Sequence, residues 1–401
     1  MALSNTQTTY GTVTRGFHWL TALLVMTLIP VALIANDLPY DTSEQLTRKA
    51  FMFSLHKTLG VTVFFVALLR IIWAMTQSKP AALHPDRKAE TLLAETAHWL
   101  LYGSLVLAPL SGWIHHASTS GFAPIWWPFG QDLPMVPKSA AVEAISGGLH
   151  EVFGKVMLVT ILLHIAGALK HHFIDRDATL PRMWRGATAP HAPVTAHHTR
   201  KPLLAAIAVW AVTLTGAGLL GFYTPHSSDT PTAELAQVAS DWTVQEGSID
   251  IAVTQFGSTV EGSFADWTAD ISYDPAIVSD LSGTVEVVIA TSSLTLGSVT
   301  DQAMGPDFFD TGTFETATFK ADLITGIDGF VADGTLTIKD QTLPLVMPFR
   351  LSVQGENANM SANLTLDRRD FGIGANMDDE SSLAFAVDVS ITLSATRSAA
   401  E

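Results

Sequence analysis

The order of apolar and polar positions divides this 401-residue chain into two parts with different periods. Five long apolar runs come first, over residues 17–36 (FHWLTALLVMTLIPVALIAN), 51–75, 92–116, 149–170 and 203–223 (LLAAIAVWAVTLTGAGLLGFY). A helix rises 1.5 Å per residue, so about 20 apolar residues cross a hydrocarbon layer about 30 Å thick. Each run therefore predicts a membrane-spanning helix. From Trp242 onward the period falls to two. Apolar side chains recur at every second position through Ile249, Ile251 and Val253, through Leu343, Leu345, Met347, Phe349, Leu351 and Val353, and through Leu383, Phe385, Val387, Val389, Ile391 and Leu393. This alternation belongs to half-buried antiparallel strands. Several such strands at short spacing, with Gly, Asp and Asn between them, predict a barrel or sandwich. The expected organisation is a helical membrane domain over 10–185, a linker over 186–202, a fifth helix over 203–223, a second linker over 224–240 and an all-β domain over 241–398.

Charge separates the same two parts. Residues 1–225 hold 16 Lys and Arg against 11 Asp and Glu, whereas the remainder holds 6 against 27. All 14 histidines fall at or before His226. Acidic residues on outer faces and turns suit a soluble secreted domain, and the strand-rich part shows no phosphate-cradling loop and no catalytic triad spacing. In the helical part the basic residues sort by loop. Arg15, then Lys79, Arg87 and Lys88, then Arg176, Arg182, Arg185, Arg200 and Lys201 fall on one side, and Arg48, Lys49 and Lys138 on the other. The positive-inside rule makes the first side cytoplasmic. A multi-pass protein of the bacterial inner membrane is expected, with its N-terminus inside and, after five crossings, its C-terminal domain in the periplasm. Cysteine is absent, which excludes disulfides, thiolate-held iron–sulfur clusters and covalently attached c-type haem, and leaves noncovalent b-type haem open.

The histidines carry the candidate chemistry. His150 and His164 stand fourteen residues apart in the fourth run, about 21 Å of helical rise and about 40° short of four turns. They therefore share a face at opposite depths. An imidazole in hydrocarbon needs a partner, and two on one stripe point to two stacked cofactors. A haem wedged between helices requires an axial imidazole and space for the porphyrin edge, which a small residue one turn away provides. His18 has Ala22, His56 has Gly60, His150 has Gly154 and His164 has Ala168 at that spacing. Depth pairs His18 with His164 and His56 with His150, giving two bis-histidine b-type haems with irons about 21 Å apart. The competing reading is four buried histidines satisfied by hydrogen bonds. His98 has the bulky Tyr102 one turn on and is expected to be an interhelical hydrogen-bonding or quinone-pocket residue. His115 and His116 are expected to be interfacial, His171 and His172 to face headgroups, and His191, His197 and His198 to belong to the solvated linker. Arg70 either snorkels to the surface or pairs with a haem propionate.

The segments FHWLTA, LHKTLGV, AHWLLYGSLVLAPLSGW, LHEVFGKVML and LLHIAGALKHHFIDRDATLPRM resemble the bacterial cytochrome b561 family of four-helix dihaem membrane proteins, over about residues 10–185. The resemblance implies His18, His56, His150 and His164 as axial ligands of the haem irons and electron exchange with ubiquinone. In some members it also implies oxidation of periplasmic superoxide. VEGSFADWTADISYDP, FFDTGTFETATFKA, GTLTIKDQTLPLVMPFRL and LDRRDFGIG resemble the YceI-like family, which implies a lipocalin-like barrel around a polyisoprenoid chain. Three functions follow as expectations. The first is a superoxide:quinone oxidoreductase, helped by Arg48, Lys49, Lys57 and Lys155 as attractors of an anionic donor, with the barrel holding an isoprenoid or quinone-like lipid. The second is an electron-relay subunit serving a periplasmic redox partner. The third is a lipid-binding module anchored by a cytochrome.

Overall fold

Among the described residues six α-helices precede the first strand: α1 (Thr12–Asp37), α2 (Ser43–Met75), α3 (Lys88–Ala117), α4 (Ala140–Lys170), the short α5 (Thr179–Trp184) and α6 (Lys201–Leu219). The computed structural model describes residues 2–84, 86–188, 200–224, 235, 240–277, 280–326 and 329–398. His191, His197, His198 and most of both expected linkers lie outside the described residues. The chain forms two units. One comprises Met1–Asp37, Phe51–Thr119 and Ile125–His226, and the other comprises Leu38–Ala50, Ser120–Pro124 and Ser227–Glu401.

Four of the helices, α1, α2, α4 and α6, are long and apolar enough to cross a membrane. The fifth predicted span, α3, is 30 residues long but falls short in apolarity. Gly103, Ser104, Pro109, Ser111, Gly112 and the His115–His116 pair dilute its Leu and Val. The physical reason lies in its packing. It lies against α4 and α6, so its small residues meet protein where a lipid-facing helix would present branched side chains. Val25 and Leu28 of α1, Val63 and Ala67 of α2 and Leu105 of α3 form the bundle's core cluster, with Met157 and Ile161 of α4 packed on it. Met157 stands seven residues, two turns, from both His150 and His164, so this apolar layer occupies the middle of the bundle between them. Beyond Lys170, α4 widens into one π-helical turn over His171–Asp175 and stops at Arg176, whose left-handed φ of 53° reverses the chain.

The second unit is one antiparallel sheet that curls on itself. Its strands are β1 (Trp242–Gln255), β2 (Ser258–Phe264), β3 (Trp267–Tyr273), β4 (Asp280–Ala290), β5 (Leu294–Thr295), β6 (Thr316–Gly326), β7 (Gly329–Ile338), β8 (Gln341–Gln354), β9 (Asn357–Asp367) and β10 (Leu383–Arg397). They are ordered β3-β4-β6-β7-β8-β9-β10-β1-β2-β5. The alternation seen in the sequence sets which side faces in, since a strand's side chains switch faces at every residue. Ile249, Ile251 and Val253 are buried, and Ile251 stands opposite Val389 in the β1–β10 ladder. Leu46, 1% exposed, packs with Val253, Met377 and Leu383 in this unit. The inward side chains enclose an apolar cavity of about 270 Å³, with Val287, Phe319, Met347 and Val389 on its wall.

The turn after β9 is built around a buried arginine. Arg368 is 3% exposed, and its guanidinium donates to the carbonyls of Ala384 (3.0 Å), Ile373 (2.9 Å), Gly374 (2.6 Å), Leu383 (3.3 Å) and Met377. One side chain thereby ties the β9–β10 connection together. Arg369 faces out and pairs with Asp367 at 2.5 Å.

Candidate functional site

The bundle brings the four sequence-selected histidines together as two pairs. The rings of His56 (α2) and His150 (α4) have centroids 6.3 Å apart, and those of His18 (α1) and His164 (α4) have centroids 6.2 Å apart. Two imidazoles facing each other across one iron, each nitrogen about 2 Å from it, place their ring centroids about 6 Å apart. Both separations fit that arrangement.

Hydrogen bonding selects the nitrogen that faces the gap. His56 Nδ1 donates to the Leu28 carbonyl at 3.2 Å, and His150 Nδ1 to the Ala108 carbonyl at 2.7 Å. With Nδ1 carrying the proton, Nε2 keeps its lone pair. A backbone acceptor on the far nitrogen is the usual means by which a ligating histidine is oriented and made more basic. The helix surface beside these rings also has space. A Cβ placed on Gly60 or on Gly154 would meet nothing within 4 Å, so the two glycines one turn from His56 and His150 leave an unfilled cradle. The chain's own residues thus fit a b-type haem at this level.

Gly112 was not legible as part of the site. A Cβ there would lie 2.8 Å from His150 Nδ1 and 2.9 Å from its Cε1. This glycine of α3 lets the ring approach the backbone closely enough to reach Ala108. Spacing rules follow one helix at a time, and this contact comes from another.

The remaining polar residues sort differently. The His98 ring lies 5.2 Å from that of His164, nearly perpendicular, while its Nδ1 donates to Ala94 of its own helix at 2.6 Å. His115 donates to the Glu143 carbonyl at 3.0 Å, a helix-to-helix tie. His171, expected to face headgroups, instead turns to Asp177 (Nδ1 to Oδ2, 2.7 Å), because the π-helical turn rotates it inward. Arg70 lies over the Tyr102 ring, 5.4 Å from its centroid. Arg182 is 5% exposed and donates to the Ala81 carbonyl at 3.0 Å, but its Nε and Nη2 have no hydrogen-bond partner. Of the expected attractors of an anion, Arg48 pairs with Glu44 at 3.0 Å and Lys155 with Glu151 at 2.6 Å, and Lys57 is buried.

Comparison with known proteins accords with this geometry. A model of the prokaryotic cytochrome b561 family matches residues 9–186, and one of the YceI-like domain matches residues 242–396. Cytochrome b561 homolog 2 of Escherichia coli K12 is 31% identical over 188 residues, covering 46% of this chain and 95% of that protein. The chain belongs to the prokaryotic cytochrome b561 family and carries a YceI-like domain behind it. A second relative of this cytochrome b561, named a probable superoxide oxidase CybB, from Yersinia pestis, is 24% identical over 175 residues, 43% of this chain and 94% of its own. The YceI-like domain is 31% identical over 165 residues to a UPF0312 protein of Shewanella putrefaciens, covering 37% of this chain and 85% of that protein. Cytochromes b561 are bacterial membrane proteins that hold b-type haem and transfer electrons, and the curled antiparallel sheet is the fold expected of the second family.

Proposed function

We propose that this cytochrome b561 carries electrons across the inner membrane between a periplasmic donor, superoxide, and ubiquinone, through two b-type haems held by His56 with His150 and by His18 with His164. The two facing histidine pairs at opposite depths carry the reading. The Nδ1 bonds of His56 and His150 fix their rings in the ligating orientation. The layer of Val25, Leu28, Val63, Leu105 and Met157 keeps water out of the interval between the pairs, and the two unpartnered guanidinium nitrogens of Arg182 suit an anionic group such as a haem carboxylate. Bound haem supplies the one-electron couple. Each superoxide leaves as dioxygen after giving up one electron, so two superoxide ions and two protons convert one quinone to quinol. The name of the Yersinia pestis relative favours superoxide as donor. The basic residues of the loops favour a cytoplasmic N-terminus and a periplasmic YceI-like domain. The predominantly apolar character of the cavity wall favours an isoprenoid or quinone-like tail as its occupant.

The test is rapid mixing of superoxide with the purified full chain and ubiquinone. Two haems per chain are expected by pyridine haemochromogen assay, with one in the His56→Ala variant. Haem reduction should be at least about tenfold slower in that variant. Equal rates in the two proteins would overturn superoxide as the donor, and unchanged haem content would overturn the ligand assignment.

A further inference from the structure

Away from the histidine pairs, three metal-ligating groups converge where the α2–α3 connection meets the end of α4. His84 Nε2 lies 3.0 Å from Asp177 Oδ2, and His171 Nδ1 lies 2.7 Å from the same oxygen. All three atoms are within 4.8 Å of one another. The two imidazoles are parallel, their planes 7° apart and centroids 6.2 Å apart. Asp177 is held independently, because its Oδ1 accepts the backbone N–H of Thr179 at 2.8 Å. Oδ2 is thereby aimed between the two rings.

The neighbouring acids differ in one respect. Asp175 is bound by Lys170 at 2.8 Å and Arg87 at 3.1 Å, and Glu90 also contacts both cations. Among the described residues Asp177 has no Lys or Arg partner, only the two histidines. The set therefore presents two imidazole nitrogens and one carboxylate oxygen without a Lys or Arg partner, and His171 Nδ1 also lies 3.1 Å from Asp175 Oδ2. A four-coordinate divalent ion with bonds of about 2.0–2.2 Å to nitrogen and oxygen separates its ligand atoms by about 3.3 Å. The present 2.7 and 3.0 Å contacts would need to open by about 0.6 and 0.3 Å to reach that separation. The His84 side chain is 33% exposed, which gives an ion access and leaves a fourth position for water.

We propose that His84, His171 and Asp177 form a binding site for a borderline divalent transition metal, Zn²⁺ being the representative, with water as the fourth ligand. Two imidazoles and one carboxylate favour such ions over Mg²⁺ or Ca²⁺, which take oxygen ligands. Occupancy would fasten the α2–α3 connection to the end of α4, seven residues beyond His164. The ion takes the place of the two N–H hydrogen bonds now made to Asp177.

The experiment is calorimetric titration of chelator-stripped full chain, purified without a histidine tag, with Zn²⁺. One ion per chain is expected. His84→Ala, His171→Ala and Asp177→Asn should each weaken binding at least tenfold, whereas His172→Ala, which removes the exposed neighbour, should not. Native affinity in both His84→Ala and His171→Ala, or no binding to the native chain, would overturn the site. Retention of the haem spectrum reports folding of each variant. X-ray absorption of the Zn²⁺-loaded native chain gives an answer independent of substitution: two imidazoles in the metal's shell are expected, and any other number overturns the proposal.

Discussion

His150 is positioned by a residue without a side chain. Its Nδ1 reaches the Ala108 carbonyl because Gly112, one helical turn further along α3, leaves that surface bare. In Gly112→Ala the added methyl would sit inside contact distance of two ring atoms, so the ring must tilt or the helices must part. The expected outcome is a shifted midpoint potential and altered absorption for one of the two proposed haems, with the other unchanged, as read by a spectroelectrochemical titration. Two components shifting together would show that the glycine serves helix packing generally. The histidines themselves were legible because a polar ring in an apolar run stands out, and their depth followed from the fixed rise of a helix. Gly112 and the inward turn of His171 were not, since one depends on a second helix and the other on a π-helical turn that no local pattern announces.

Among the elements, the connection between β9 and β10 shows a role for charge that alternation does not reveal. Arg369, hydrogen-bonded to Asp367, holds that carboxyl below the usual carboxylate range. A lowered folded-state value means that the ionised form stabilises the fold at pH above about 4, and this contribution is lost as pH falls through the folded-state value. Asp367→Asn should therefore flatten the fall in stability below about pH 4, followed by tryptophan fluorescence during thermal unfolding. An unchanged acid slope would remove Asp367 from the account. The strands were legible in the sequence because one buried face imposes a period of two. The β9–β10 turn was not, because Arg368 reads as a surface residue until its five carbonyl acceptors are in place. Helix α3 illustrates the opposite limit: its length was readable, but a helix packed against α4 and α6 no longer needs the apolarity that identifies a span.

Taken whole, the molecule joins a bundle of balanced charge to a sheet domain rich in acid. The acid lies outside, and the cavity wall is apolar apart from a few groups, such as Gln255 at the end of β1, whose Oε1 has no partner. Ala332, 1% exposed, contributes one of the small side chains that keep the cavity open. If a lipid tail fills that space, Ala332→Met should reduce the lipid recovered with the full chain by native mass spectrometry while leaving its haem content unchanged. If the cavity serves only packing, the same substitution costs stability through overfilling, about 1–3 kcal/mol, without changing the lipid recovered.

The two ends of the curled sheet bear on how such an occupant is exchanged. Neighbours in the strand order share backbone ladders, but β3, at one end of that order, meets the start of β1 through side chains. Trp242 Nε1 donates to the Tyr273 carbonyl at 2.9 Å, Ser240 Oγ bridges the Ile271 N–H and carbonyl at 2.7 and 3.0 Å, and Ser272 Oγ donates to Asp241 at 2.7 Å. Parting this joint breaks four hydrogen bonds and no ladder. A sideways slit along this joint would open the wall without breaking a ladder, at the cost of exposing Trp242 and Ile271. A tail held in the cavity would then leave broadside, with no need to thread its length through an end.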